Sequence, residues 1–375
     1  MRTPLAFYNS FEQPRRTAAA VGGVCFALLL IFMQAGFLGA ARTNVSIVYT
    51  ALDFDLVIHA RGYLTLPRSD PFDLLRLRQA ESVPGVGSVS RFLIDGGRWQ
   101  GPAQASGKSA FVFGVSPDFP VFLDPTINAQ LKSLHPTLTA LLDRQSRNYG
   151  DWAIGTKGKL DSQAVTVTGE YQLGVGLLAD GDAIVSESTF ERLYGPATTN
   201  YANLGLVKIA PGADRDTVLA ALRKRLPGDV MVVTRESIIE REQNYFVNVK
   251  PVGILFKVGM VVAFAAGAAI LYQILSSEMS NRIGEFATLK ALGYPTTRIY
   301  SVGLQQGLIY ALLAYGPAYL LSVVLYKIAR QLSGFPVFMD AGRAGLVLVL
   351  ALAMCAFAAV LSLWKIRKAD PASLF

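Results

Sequence analysis

The sequence predicts an α-helical integral membrane protein with four transmembrane helices and an α+β, two-lobed extracytoplasmic domain inserted between helices 1 and 2. Three observations predict it. Hydrophobic residues make up 52% of the 375 positions and charged residues only 17%; the mean hydropathy is +0.37, too apolar for a chain of soluble domains alone. The excess is concentrated in four blocks, Thr17 to Ala41, Val252 to Ser276, Ile299 to Tyr326 and Ala344 to Trp364. Each reaches the roughly 20 apolar residues that carry a helix across a bilayer. Between the first two blocks, Arg42 to Lys250 has ordinary soluble composition, with 22 basic against 22 acidic residues.

The net charge of +8 therefore falls entirely on the membrane part, which holds 13 basic and 5 acidic residues. That is a topology signal and not the footprint of a nucleic-acid binder. Arg2, Arg15 and Arg16 precede the first span, Arg282, Lys290 and Arg298 lie between the second and third, and Lys365, Arg367 and Lys368 follow the fourth. Lys327, Arg330 and Arg343 lie in the remaining short loop. The bias places both termini in the cytoplasm and the large domain outside.

Taken in order, residues 1–16 read as an interfacial helix, with Phe7, Tyr8 and Phe11 before the Arg15-Arg16 pair. Span one, 17–41, is too long and lacks a cleavage site for a signal peptide, so a retained span is expected. Its small residues, Gly22, Gly23, Gly36 and Gly39, permit close helix packing. Val45 to Leu52 reads as a stalk continuing from it. In the outer domain, 42–250, Asp53 to Ala60 reads as a strand. A helix is expected from Asp70 as cap and Pro71 in the first turn, ending at Pro84-Gly85. Val86 to Ile94 and Ser109 to Val115 read as strands.

The middle portion, Asp118 to Tyr201, reads as irregular, with short strands at Ala164 to Val167 and Ala183 to Val185. Strand, helix and strand return at Leu204 to Ile209, Asp214 to Leu226 and Asp229 to Val233. From Glu236 a second stalk helix runs toward span two. The remaining division is span two at 251–277, a loop at 278–298, span three at 299–326, a short outer loop at 327–343, span four at 344–364 and a tail at 365–375.

Catalytic, cofactor and metal constellations find no support. Gly101 to Ser109, GPAQASGKS, has five residues between Gly101 and Gly107 where a phosphate loop needs four. It reads as a polar hairpin turn. His59 in a strand and His135 before Pro136 have no ligand-spaced partners. Asp182, Glu187 and Glu191 read as helix-start residues, and no serine sits in an elbow context. Cys25 and Cys355, the two cysteines, fall inside predicted spans, so no disulfide staples the outer domain. The spans themselves are lean. Lys257 snorkels at an end, Gln34, Gln273, Gln305 and Gln306 are the polar residues at depth, and Gly316-Pro317 offers a kink. Such spans suit a moving scaffold better than an ion path.

The stretch that stands out is Ser280 to Tyr300, SNRIGEFATLKALGYPTTRIY. Ile283, Phe286, Leu289 and Leu292 recur every third residue, giving a helix with one apolar face. Arg282, Glu285 and Lys290 lie on or near the other side, and Gly293 with Pro295 supplies a stop. The pattern alone leaves two readings open, an interfacial connector lying on lipid and a docking helix for a partner.

The order of one span, a large outer domain and three spans, with ATLKALGY between the second and third, resembles the FtsX/MacB-type ABC transporter permeases, and most of all the DevC branch. RTPLAFYNS at the N-terminus, ALLLIFMQAGFLGA in span one, RIGEFATLKALGY in the loop and the terminal DPASLF, Asp370 to Phe375, carry the resemblance. It covers the termini and the spans and is weakest over Asp118 to Tyr201.

The resemblance implies a MacB-like fold and a homodimeric permease in the inner membrane, its large domain periplasmic, with no catalytic, cofactor or metal residues of its own. ATP would be bound by a separate cytoplasmic ABC ATPase, since a chain of this length has no room for one. Arg282, Glu285, Phe286, Leu289, Lys290, Leu292 and Gly293 would form the coupling helix. Phe286, Leu289 and Leu292 would make its apolar contact, and Glu285 and Lys290 would orient it. The periplasmic domain would meet a membrane-fusion adaptor joined to a TolC-type outer-membrane channel. Relatives of similar layout release lipoproteins, and FtsX-type members act as signalling scaffolds that activate a cell-wall hydrolase.

Overall fold

The computed structural model describes residues 14–146, 149–150, 152–174, 179–281, 284, 296–333 and 336–367. The chain divides into a helical unit, Met1–Ala40 with Pro251–Phe375, and an α/β unit, Ala41–Lys250.

Among the described residues, four helices are long and apolar enough to cross a membrane: α1 (Pro14–Val45), one of 31 residues at Pro251–Asn281, one within Gly303–Leu332 and one within Ala341–Ser362. They pack through small side chains. Ala20, Val24 and Leu28 of α1 meet Ala263, Ala268 and Leu271, Ala311, Ala314 and Ala318, and Ala351, Ala358 and Ala359 in one buried cluster. Without a hydrophobic drive between helices in lipid, close backbone approach is what holds such a bundle. Leu255, Val261, Leu320 and Val360 remain exposed on its exterior, apolar residues of the kind a surface in contact with lipid carries.

In the α/β unit, a turn at Ser46 separates α1 from the short α2 (Ile47–Ala51). β1 (Leu56–Ala60) follows, buried at every position. The expected helix from Asp70 does not begin there. Phe72–Asp73 forms a short strand, β2, and α3 spans Leu75–Glu81 with Leu74 as a cap that lacks a side-chain bond. The reason is tertiary: β2 pairs with Tyr201–Ala202 (β9), and that pairing overrides the local Asp-Pro signal. Gly85, at φ +87°, makes the turn into β3 (Val86–Gln100), a conformation that costs a glycine little.

β4 (Lys108–Val115) follows as expected. The middle portion is a further correction, because its described residues hold more regular structure than an irregular insert: α4 (Pro125–Leu131), β5 (Thr139–Asp143), β6 (Lys157–Leu160), β7 (Gln163–Tyr171), β8 (Gly181–Ser186) and α5 (Glu187–Tyr194). β10 (Leu204–Ile209), α6 (Arg215–Arg225), β11 (Val230–Thr234) and α7 (Arg235–Asn248) complete the unit.

One nine-stranded sheet runs β11-β1-β10-β3-β4-β8-β5-β7-β6. Fifteen-residue β3 belongs to both halves. Val86 to Phe92 pair with β10, and Leu93 to Trp99 pair with β4. Trp99↔Leu160 and Gln100↔Lys159 then join β6 back to β3, closing the second half into a ring of strands. A closed ring leaves no whole strand as a free edge. Trp99, fully buried, packs with Val112, Leu142, Val167 and Phe190 in one core. Leu56, Ile58, Leu77 and Leu222 fill a second core where α3 and α6 cover the first half.

The second stalk is also interrupted. α7 ends at Asn248 with Val249 as its cap, and α8 (Pro251–Asn281) starts afresh, because proline cannot donate to the preceding turn. The last two helices, α9 (Thr296–Ser333) and α10 (Ala341–Arg367), extend beyond the expected spans, and α9 accommodates Pro317 in its interior. The expected N-terminal interfacial helix lies almost wholly outside the described residues, as does the DPASLF ending.

Candidate functional site

The predicted site residues Arg282, Glu285, Phe286, Leu289, Lys290, Leu292 and Gly293 lie outside the described residues. What the structure gives is their frame. α8 runs to Asn281 and α9 begins at Thr296, so the segment is held between two long helices of the same bundle. Those helices are tied to each other about one turn before the segment on α8 and about four turns after it on α9. The Tyr310 hydroxyl of α9 donates to Glu278 Oε1 of α8 at 2.7 Å. Beside it, Met279 is buried, with its sulfur 3.8 Å from the Ser362 hydroxyl of α10. Glu278 is a charge that the lean-span reading overlooked, because the expected span stopped just short of it.

Farther along the same helices, contacts are close enough to transmit a shift. A Cβ on Gly267 would collide with the Met354 sulfur of α10 and stand 2.7 Å from Ala27 Cβ of α1. A Cβ on Gly307 would stand 2.7 Å from Cys355 Sγ. Cores packed this tightly shift as units and do not deform locally.

A second cluster, which the sequence reading missed, lies in the α/β unit. Glu242 of α7 is 2% exposed. Its Oε1 accepts from the Tyr63 hydroxyl and from the Leu66 backbone N–H at 2.8 Å. The Tyr49 hydroxyl in turn bonds that of Tyr63. Arg241 donates to the Tyr63 carbonyl at 2.7 Å and lies over its ring at 5.6 Å. Burial pushes the Glu242 carboxyl up to about 7, against the opposing pull of its two hydrogen bonds. A signal did exist in the sequence. Ile238, Glu242 and Phe246 recur every fourth residue on the buried side of α7, so a carboxylate occupies a position of the apolar stripe.

Asp182 is the third unusual group. It lies in β8 and not at a helix start; Ser186 caps α5 instead, its side chain accepting from the Thr189 N–H. Asp182 is fully buried, and neither carboxylate oxygen has a hydrogen-bond partner among the described residues. Burial first, and the Asp143 charge second, raise its pKa well above the usual carboxylate range. Asp143 is equally buried but better hydrogen-bonded, accepting from the backbone N–H groups of Gln145, Leu173 and Gly174.

The remaining candidates are structural. His59 is fully buried; its Nδ1 lies 2.7 Å from the Ala60 carbonyl, and burial lowers its pKa. His135 is exposed and 3.3 Å from Asp118. Gly101 to Gly107 form the connection of the β3–β4 hairpin. Among the described residues, no group of three His, Cys, Asp or Glu side chains could hold a metal ion. Cys25 and Cys355 are both unpaired.

Residues 257–371 match the FtsX-like permease C-terminal family. The match covers α9 and α10 and most of α8, together with the segment between α8 and α9. No curated protein matches the chain. Among solved structures, the chain is similar to the extracellular domain of the noncanonical ABC-type transporter YknZ from Gram-positive bacteria. The identity there is 11%, over 48% of this chain and 100% of that one, with a TM-score of 0.34. It is also similar to the periplasmic region of MacB from Actinobacillus actinomycetemcomitans, at 11% identity over 52% of this chain and 96% of that one, TM-score 0.34.

Proposed function

We propose that this chain is the membrane permease subunit of an ABC exporter of the FtsX/MacB type, in its DevC branch. The observation that carries the reading is the FtsX-like match over residues 257–371, which includes the amphipathic segment between α8 and α9. On this reading the segment is a docking helix and not a connector lying on lipid. A separate cytoplasmic ATPase binds and hydrolyses ATP and seats against Phe286, Leu289 and Leu292, with Glu285 and Lys290 fixing its orientation. The chain acts as a homodimer in the inner membrane. Its motion passes from the segment through the helical bundle to the α/β unit, which works outside with a membrane-fusion adaptor and a TolC-type outer-membrane channel.

The physical support is consistent at each step. Tyr310 and Glu278 tie the two helices that carry the segment, so a push on it moves both. The bundle packs through alanine and glycine contacts, and rigid contacts of that kind carry displacement instead of absorbing it. Motion of one packed element against another needs two discrete arrangements of packed helices.

The test is Leu289→Asp in the full chain purified from its native membranes, with co-purifying ATP hydrolysis as the readout. A charge at the centre of an apolar contact costs several kcal/mol, so hydrolysis bound to the permease should fall at least tenfold. Undiminished hydrolysis in the variant would remove the docking role.

A further inference from the structure

The α/β unit contains a pocket of about 130 Å³ lined by both apolar and charged side chains. Val45, Phe111 and Phe246 supply apolar wall, and Glu242 lies in it with its carboxyl turned to Tyr63 and the Leu66 N–H. Arg68, exposed, and Lys250, half-buried, are the lining residues that carry positive charge. Neither cation is neutralised. Among the described residues, the Arg68 guanidinium has no hydrogen bond or ion pair, and the Lys250 ammonium has only the Tyr245 ring, at 5.4 Å. Glu242, the acid of the same pocket, pairs with neither.

A largely apolar hollow with two cations in its lining and no ion pair to either among the described residues is complementary to an anion that carries an apolar end. Guanidinium and ammonium together suit a phosphate, the first by its paired donors and the second as a point charge. The volume limits what enters. A cavity of about 150 Å³ holds a molecule the size of benzene, so the pocket takes a few carbon atoms beside the charged group and not a whole acyl chain.

Position in the chain selects the source. Val45 is the last residue of α1, whose 32 residues span about 48 Å at 1.5 Å each. A bilayer with its headgroups is roughly 40–45 Å thick. Lys250 immediately precedes Pro251, where α8 begins. If both helices cross the membrane, as the function proposed above requires, each delivers its pocket residue at headgroup depth.

We propose that this pocket binds a phosphate-bearing anionic lipid of the surrounding bilayer, with its phosphate between Arg68 and Lys250 and its first carbons against Val45, Phe111 and Phe246. The proposal rests on the membrane reading, and its test separates the two. The full chain, purified in neutral detergent, is titrated with phosphatidylglycerol or phosphatidylcholine, and bound lipid is counted by native mass spectrometry. The double variant Arg68→Gln/Lys250→Gln is compared with Arg78→Gln, which removes an exposed charge on α3.

Each lost charge-assisted bond is worth about a factor of ten. One phosphatidylglycerol should therefore bind wild type and Arg78→Gln alike and bind the double variant at least tenfold more weakly. Equal binding of phosphatidylcholine, or unchanged binding of phosphatidylglycerol in the double variant, overturns the proposal. Displacement by millimolar glycerol phosphate overturns the lipid source and assigns the pocket to a soluble phosphate. If lipid binding fails while ATP hydrolysis co-purifies, only the pocket assignment falls. If hydrolysis is absent while lipid selectivity holds, it is the exporter reading that falls. Both charges reach solvent, and an unchanged melting midpoint of the double variant verifies that it is folded.

Discussion

The Tyr63 hydroxyl donates a hydrogen bond to the Glu242 carboxylate, tying the loop after β1 to α7 across 179 residues of sequence. Leu66 N–H adds a second bond at 2.8 Å, so one buried acid organises the whole turn from Tyr63 to Leu66. A carboxyl held in this way is a pH-dependent strut. Its folded-state pKa is raised to about 7, above the usual glutamate range, so the folded state favours the neutral form. Its contribution is fully present below about pH 4.5 and is lost as pH rises through about 7.

Glu242→Gln follows directly. The amide keeps an acceptor for Tyr63 and Leu66 but carries no charge to bury. A shift from about 4.5 to about 7 corresponds to something on the order of 3 kcal/mol between the acidic and alkaline ends of the window. The wild-type melting midpoint should fall between pH 5 and pH 8, and the variant should lose most of that slope and melt higher at pH 8. Parallel pH profiles would show that the carboxyl is not the titrating strut.

Asp182→Asn probes the same physics in the closed half of the sheet. Asp182 is fully buried without a hydrogen-bond partner among the described residues, and both burial and Asp143 oppose its ionisation. The raised pKa again means stability that declines as pH rises. The asparagine variant should melt higher than wild type at pH 8, with the difference vanishing below about pH 4, where both forms are neutral. Thermal scans of the full chain at the two pH values read this out.

Gly267→Leu should loosen the helical unit. A side chain there meets Met354 and Ala27, and overpacking of this kind costs about 1–3 kcal/mol. Gly316→Leu is the matched control, since nothing stands within 4 Å of a Cβ at that position. The first variant should lower the melting midpoint in detergent by several degrees and the second should leave it unchanged.

Asp214→Ala tests a cap. The Asp214 carboxylate accepts from the Thr217 N–H at 2.8 Å and from the Thr217 hydroxyl at 2.7 Å, opening α6. Its loss should cost about 1 kcal/mol. Hydrogen exchange in the first turn of α6 should accelerate roughly fivefold while amides in β3 are unaffected.

That cap also shows what was legible. α6 was readable because an N-cap, an apolar stripe and a following strand lie within about twenty residues, and β10 matched its reading of Leu204 to Ile209. The closed half was not readable in the same way. β5 and β8 are buried at every position, so the alternation that marks a half-exposed strand is lost. β7 does alternate over Gln163–Tyr171, yet it was read only at Ala164 to Val167, since the polar threonines between its valines face a partly covered surface. Asp70-Pro71 misled because the pairing of Phe72 with Ala202 is non-local.

The helical unit was legible from hydropathy alone, but Glu278 was not, because its partner Tyr310 lies 32 residues away. The pocket beside Glu242 draws on residues from Val45 to Lys250, and only the fold brings them together. The amphipathic stretch from Arg282 to Gly293 is the opposite case, plain in the sequence and, Gly284 apart, outside the described residues.

The most direct measurement therefore goes to that stretch. A photo-crosslinking amino acid is placed at Phe286 in the full chain, activated in living cells, and its crosslinked products are identified by mass spectrometry. The account predicts a discrete adduct with an ABC-type ATPase, abolished when Leu289→Asp is added. Crosslinks to lipid alone, with no protein adduct, would contradict it and leave the segment an interfacial connector.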